Sequence, residues 1–110
     1  MGRSLDEIQR SVDEWIQKNS GYWSPLGMLA AVMEELGELS RELMHLTSTK
    51  IKKTDEPTKS LESELGDLFY AVICIANSYN ISLDKAISLS MEKYQTRDVN
   101  RFTKKKEKKD

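Results

Sequence analysis

Two acidic words recur along the chain, "EELGE" from Glu34 to Glu38 and "ELGD" from Glu64 to Asp67. On an α-helix, residues three or four apart share a face, so Glu35 and Glu34 each pair with Glu38, and Glu64 pairs with Asp67. Antiparallel packing of the two segments would set these carboxylate pairs opposite one another. Several negative charges in one small volume repel, and nearby apolar surface raises the cost unless a cation compensates. An all-oxygen ligand set suits Mg²⁺, with Mn²⁺ as a substitute, and Mg²⁺ usually leaves positions open for water and substrate phosphates. Gly37 and Gly66 lie inside the two words. Glycine within a helix costs about 1 kcal/mol relative to alanine, which suggests that a ligand or a second backbone comes close there.

One such word alone would read as a solvated helix face. Two, each on an otherwise apolar segment, favour a metal cage. A di-iron centre would need Glu-x-x-His on two helices, and the one histidine, His45, lies seven residues past Glu38. His45 reads instead as a favourable charge near a helix C-terminus.

Helices must position these groups. Leu5, Ile8, Val12, Trp15 and Ile16 recur at helical spacing behind a Ser4/Glu7 capping box, which predicts a first helix over about residues 5–18. Ser24 and Pro25 supply an N-cap and a first-turn proline for a second helix running to about Leu46. Leu29, Val32, Met33, Leu36, Leu39, Leu43 and Met44 are expected to face inward from it. The polar, Pro57-containing stretch over 47–58 reads as a surface loop. A third helix is expected from Thr58 or Ser60 to about Tyr79; it is apolar nearly all round from Leu68 onward, the place expected for an oligomer interface. Ser82 caps a fourth helix, expected to end near Tyr94. No segment alternates as a strand does. The expected fold is all-α, a four-helix-bundle-like single domain over residues 1–103 that oligomerises, followed by a disordered basic tail over 104–110.

Composition bounds the function classes. A chain of 110 residues makes one domain with a modest core, which favours completion by a partner. Charged residues make up 32% and the net charge is −1; the last seven residues contribute +3, leaving −4 on the rest. The body is therefore mildly acidic and lacks the clustered basic face of a nucleic-acid binder. With Cys74 the single cysteine, no intrachain disulfide can form. The longest apolar run, Leu68 to Ala76, falls well short of the roughly 20 residues a membrane span needs, and the N-terminal stretch lacks a signal peptide's apolar core. A cytoplasmic location without membrane contact is expected.

The ordered acidic words, with "GYWSPLGMLAAVMEELGEL" before them and "MEKYQTRDVNRF" after, resemble the MazG-like nucleoside triphosphate pyrophosphohydrolases of the all-α NTP pyrophosphatase superfamily. The resemblance spans about residues 5–102. It implies Mg²⁺-dependent hydrolysis of a (d)NTP to the monophosphate and pyrophosphate in nucleotide-pool house-cleaning, by a dimer or tetramer. By position it makes Glu35, Glu38, Glu64 and Asp67 metal ligands. Glu34 would orient the attacking water or stand behind the ligands. Lys93 and Arg97, one helical turn apart, would hold phosphate oxygens, assisted by Asp98, Asn100 and Arg101. Among the aromatic residues before the second helix, Trp15, Tyr22 and Trp23, the last is the expected platform for the base. Two other classes stay open: a non-catalytic helical module whose acids bind a partner's basic surface, and a nucleic-acid binder acting through the lysine tail.

Overall fold

The computed structural model describes residues 2–47 and 57–107, which form four helices and, among the described residues, no strand: α1 (Leu5–Lys18), α2 (Pro25–Leu46), α3 (Pro57–Ser78) and α4 (Leu83–Glu107). The all-α expectation holds. The predicted loop lies, from 48 to 56, outside the described residues.

Local chemistry accounts for the starts. The Ser4 hydroxyl accepts from the Glu7 amide at 3.1 Å while the Glu7 carboxylate accepts from the Ser4 amide at 2.8 Å, a complete capping box. Ser24 caps α2 through the Gly27 amide at 3.0 Å, with Pro25 opening the helix. Ser82 caps α4, its hydroxyl accepting from the Lys85 amide at 3.2 Å. α4 differs from expectation at its end, running on to Glu107 instead of stopping near Tyr94. Glutamine, arginine, lysine and glutamate propagate helix well whatever their polarity, so residues 104–107 of the expected disordered tail have a helical backbone.

α2 and α3 pack along one another, α1 lies against α3, and α4 meets α1. Gln9 ties these pieces together. Its side chain is 7% exposed. Its amide group donates to Asn77 Oδ1 and to the Ile81 carbonyl, each at 2.9 Å, and its oxygen accepts from the Leu83 amide at 2.9 Å. Asn77 in turn donates to the Gln9 carbonyl at 3.0 Å. One polar side chain of α1 therefore satisfies both the α3–α4 turn and the first amide of α4. Gln9→Ala removes three part-buried hydrogen bonds at once, and is expected to destabilise the fold by about 2–4 kcal/mol, measured by urea unfolding.

The orientation of α2 differs most from expectation. Of its apolar side chains only Met28 is buried; Leu29, Met33, Leu36, Leu43 and Met44, expected to face inward, are exposed. The side turned toward the protein carries Glu35, Glu38 and Leu39, half-buried, and Glu42, buried. α3 adds Ala71, Ile73 and Ala76 to the core but leaves Phe69 and Tyr70 exposed. An apolar stripe in water beside carboxylates drawn inward reverses the usual partition of a self-sufficient domain. The Cα radius of gyration, 18.1 Å, also exceeds the about 13 Å of a compact chain of this length. Among the described residues, a Cβ on Gly37 or Gly66 would meet nothing within 4 Å.

Candidate active site

The facing of α2 on α3 brings the two acidic words together. One carboxylate oxygen from each of Glu35, Glu64 and Asp67 lies within 4.8 Å of the others. Glu35 and Asp67 come from opposite helices, and Glu64 stands one turn before Asp67 on α3. Burial pushes the Glu35 carboxyl above the usual carboxylate range, and the charges of Asp67, Glu38, Glu64 and Glu34 push it further. Glu64 is raised likewise, first by burial and then by Glu38, Asp67 and Glu42, with Arg41 opposing.

The donor set fits a hard divalent cation. Glu64 Oε1 is buried and has no hydrogen-bond partner, an arrangement that is costly unless a ligand meets it. Three converging carboxylates, two of them, Glu35 and Glu64, with raised proton affinity, are the donors that Mg²⁺ or Mn²⁺ takes.

The other acids predicted as site residues stand nearby in different settings. Glu38 borders the group, acting on both Glu35 and Glu64 by its charge, but its own oxygen faces Arg41 Nη2 at 3.7 Å. Glu34 is exposed on the outer side of α2. His45 sits in the last turn of α2 with Nδ1 3.9 Å from Glu42, away from the three acids, as its position past Glu38 implied.

Glu35 and Asp67 also form one end of a cavity of about 380 Å³. Apart from Asn19 and Gly21, the rest of its wall is apolar or aromatic: Trp15, Ile16, Tyr22 and Trp23 from α1 and the loop after it, Met28 and Ala31 from α2, and Tyr70, Ala71 and Cys74 from α3. Trp23, predicted as a base platform, lies on this wall with 68% of its surface exposed. Trp15 lies there too. The cavity thus has an anionic end suited to a metal-bound polyphosphate and an aromatic end suited to a flat ring. The polar residues Asn19 and Asp13, which support the loop, escaped the sequence reading because neither belongs to a motif or an apolar period.

Lys93 and Arg97 are not on this wall. They lie on a stretch of α4 whose residues from Met91 to Arg97 are all exposed. Both cations sit over the Tyr94 ring, at 5.2 and 4.6 Å from its centroid, and Arg97 donates to both oxygens of Asp98 at 3.0 and 3.2 Å. Asn100 and Arg101 lie outside the residues whose side chains are described. Within one chain, then, the acids and the predicted aromatic platform come together and the basic pair stands apart.

Residues 23–102 match the family model of the MazG nucleotide pyrophosphohydrolase domain. The Bacillus subtilis (strain 168) protein YpjD, uncharacterized by its own description, is 46% identical over 106 residues, covering 96% of each chain. The crystal structure of YpjD from Bacillus subtilis, described there as a candidate pyrophosphatase, superposes with a TM-score of 0.79 at 43% identity, covering 86% of this chain and 97% of that one. A Bacillus-conserved MazG protein, described as a nucleotide pyrophosphohydrolase, gives 0.75 at 40% identity, covering 88% and 95%.

Proposed function

We propose, for a chain that belongs to the MazG nucleotide pyrophosphohydrolase family, that it cleaves the α–β phosphate bond of a (d)NTP with Mg²⁺ to give the monophosphate and pyrophosphate. The observation that carries this reading is the single cavity with Glu35 and Asp67 at one end and Trp23 at the other. Mn²⁺ would substitute for Mg²⁺, since both take all-oxygen sites. Glu35, Glu64 and Asp67 would hold the divalent ion, with Glu38 as the fourth ligand. Once bound, the ion supplies neutralisation of the polyphosphate charge and polarisation of the reacting phosphorus. Glu34 orients the attacking water or stands behind the ligands. Trp23 stacks on the base. Lys93 and Arg97 hold oxygens of the leaving pyrophosphate, where charge develops during cleavage.

The position of that basic pair in one chain, and the outward apolar stripe of α2, both favour a homo-oligomer, a dimer or tetramer. In it α4 approaches an acid cluster and the stripe is covered. A role in clearing unwanted nucleotides from the cytoplasmic pool fits a small enzyme whose aromatic platform stacks on any base. No helix among the described residues is long and apolar enough to cross a membrane. A non-catalytic module that uses its acids on a basic partner would have no need of the aromatic end of the cavity.

Two variants test the assignments. Trp23→Ala is expected to raise KM about tenfold, in line with base–aromatic stacking worth about 1–3 kcal/mol, with kcat little changed. Lys93→Ala with Arg97→Ala is expected to lower kcat about a hundredfold through lost charge stabilisation. Steady-state kinetics separates the two. Equal effects on KM and kcat in both variants would mean that none of the three residues has the role given to it.

A further inference from the structure

The loop between α1 and α2 is held in a conformation that its sequence does not favour. Ser20 has φ 93° and Gly21 has φ 77°; a side chain at the first of these positions meets the steric limit of the left-handed region. Three contacts keep the loop there. The Gly21 amide donates to the Ile16 carbonyl at 2.9 Å, Asn19 donates to the Trp15 carbonyl at 2.8 Å, and the Tyr22 hydroxyl donates to Asp13 Oδ1 at 2.6 Å. The last is the shortest and joins the loop to the flank of α1. Tyr22 lines the cavity, whereas Asp13 does not; it borders a separate polar depression with Asp6, Gln9 and Asn77.

Trp23 follows Tyr22 directly. Being mostly exposed, it has little packing to hold its ring, so its place depends on the backbone on either side. On one side Ser24 is fixed as the cap of α2. On the other, Tyr22 is fixed by Asp13. We propose that Asp13 is a positioning residue for nucleotide recognition: by holding the Tyr22 hydroxyl it fixes the α1–α2 loop and presents Trp23 at the aromatic end of the cavity. The inference rests on the reading of that cavity as the nucleotide site and deepens it. Burial, then the hydrogen bond and charge of Asp13, push Tyr22 up to about 12 against an opposing hydrogen-bond contribution from Asn77, so the hydroxyl keeps its proton throughout the neutral range.

The test combines kinetics with a readout that needs no turnover. With the best substrate among the eight common NTPs and dNTPs, Asp13→Ala is expected to raise KM about tenfold, the scale of one lost charge-assisted hydrogen bond, with kcat unchanged. Tyr22→Phe should do the same, and the double variant should be no worse than either single one. Asp13→Asn, which keeps an acceptor, should restore most of the loss. In a Trp15→Phe background, where Trp23 is the remaining indole, Asp13→Ala and Tyr22→Phe should each raise acrylamide quenching of its fluorescence. Additive effects, a fall in kcat in place of a rise in KM, or unchanged quenching would overturn the inference. A wild-type protein that turns over no nucleotide would count against the functional reading alone, and the quenching measurement would still decide the role of Asp13.

Discussion

Glu64→Gln lowers turnover about a hundredfold or more and at the same time makes the metal-free protein more stable. The first effect follows if Glu64 is, as proposed, a ligand to an ion that stabilises charge in the transition state. The second follows from the electrostatics of the cluster. Burial and neighbouring acids raise Glu64 in the folded chain, so between its unfolded value near 4.5 and that raised value the folded state binds more protons than the unfolded one. Stability therefore falls as pH rises through this window, and the full penalty is present above it. Glutamine carries no charge and escapes the penalty. Thermal melts at neutral pH in chelator should thus place the variant above the wild type. Added Mg²⁺ should stabilise the wild type and leave the variant nearly unmoved, because only a state that binds the ion gains from it. A variant of unchanged activity, or one that gains as much as the wild type from Mg²⁺, would remove Glu64 from the ligand set.

If the proposed homo-oligomer forms through the α2 stripe, Met33→Lys is expected to convert it to a chain of 12.7 kDa without unfolding it. Met33 is 63% exposed in the single chain, in a row with Leu29 and Leu36, so a lysine there costs a lone chain little. Buried without a partner in an interface, the same charge costs about 3 kcal/mol or more, over a hundredfold in Kd. Light scattering and circular dichroism together decide it. A monomeric wild type, or an assembly unaffected by the substitution, would mean that another surface covers the α2 stripe or that nothing does.

Much of this site was legible because its chemistry obeys helical spacing. Glu35, Glu64 and Asp67 are legible in two short words, and α2 carries Glu35 where expected because Ser24 and Pro25 mark its start without ambiguity. The rotation of α2 was not legible. Apolar-inward reasoning assigns Leu29, Met33 and Leu36 to the core, but it assumes that one chain supplies the whole core. Here the seam with α3 carries Glu35 and Glu42, and the apolar stripe is left for another surface. The end of α4 is illegible for a different reason: apolar periodicity ends near Tyr94, whereas lysine, arginine and glutamate extend a helix as readily as leucine does. Gln9 and Asp13 gave no signal at all. Each is a polar residue on an amphipathic helix, where the sequence offers only a solvated face, and their partners lie in the α3–α4 turn and in a loop whose positive φ angles no periodicity predicts.

The most direct test of the account is phosphorus NMR of the products formed when the purified protein meets each common NTP and dNTP, first with Mg²⁺ and then with chelator. The account predicts a nucleoside monophosphate and pyrophosphate in equal amounts, with turnover abolished on chelation. Release of orthophosphate, or turnover that persists without a divalent ion, would contradict it.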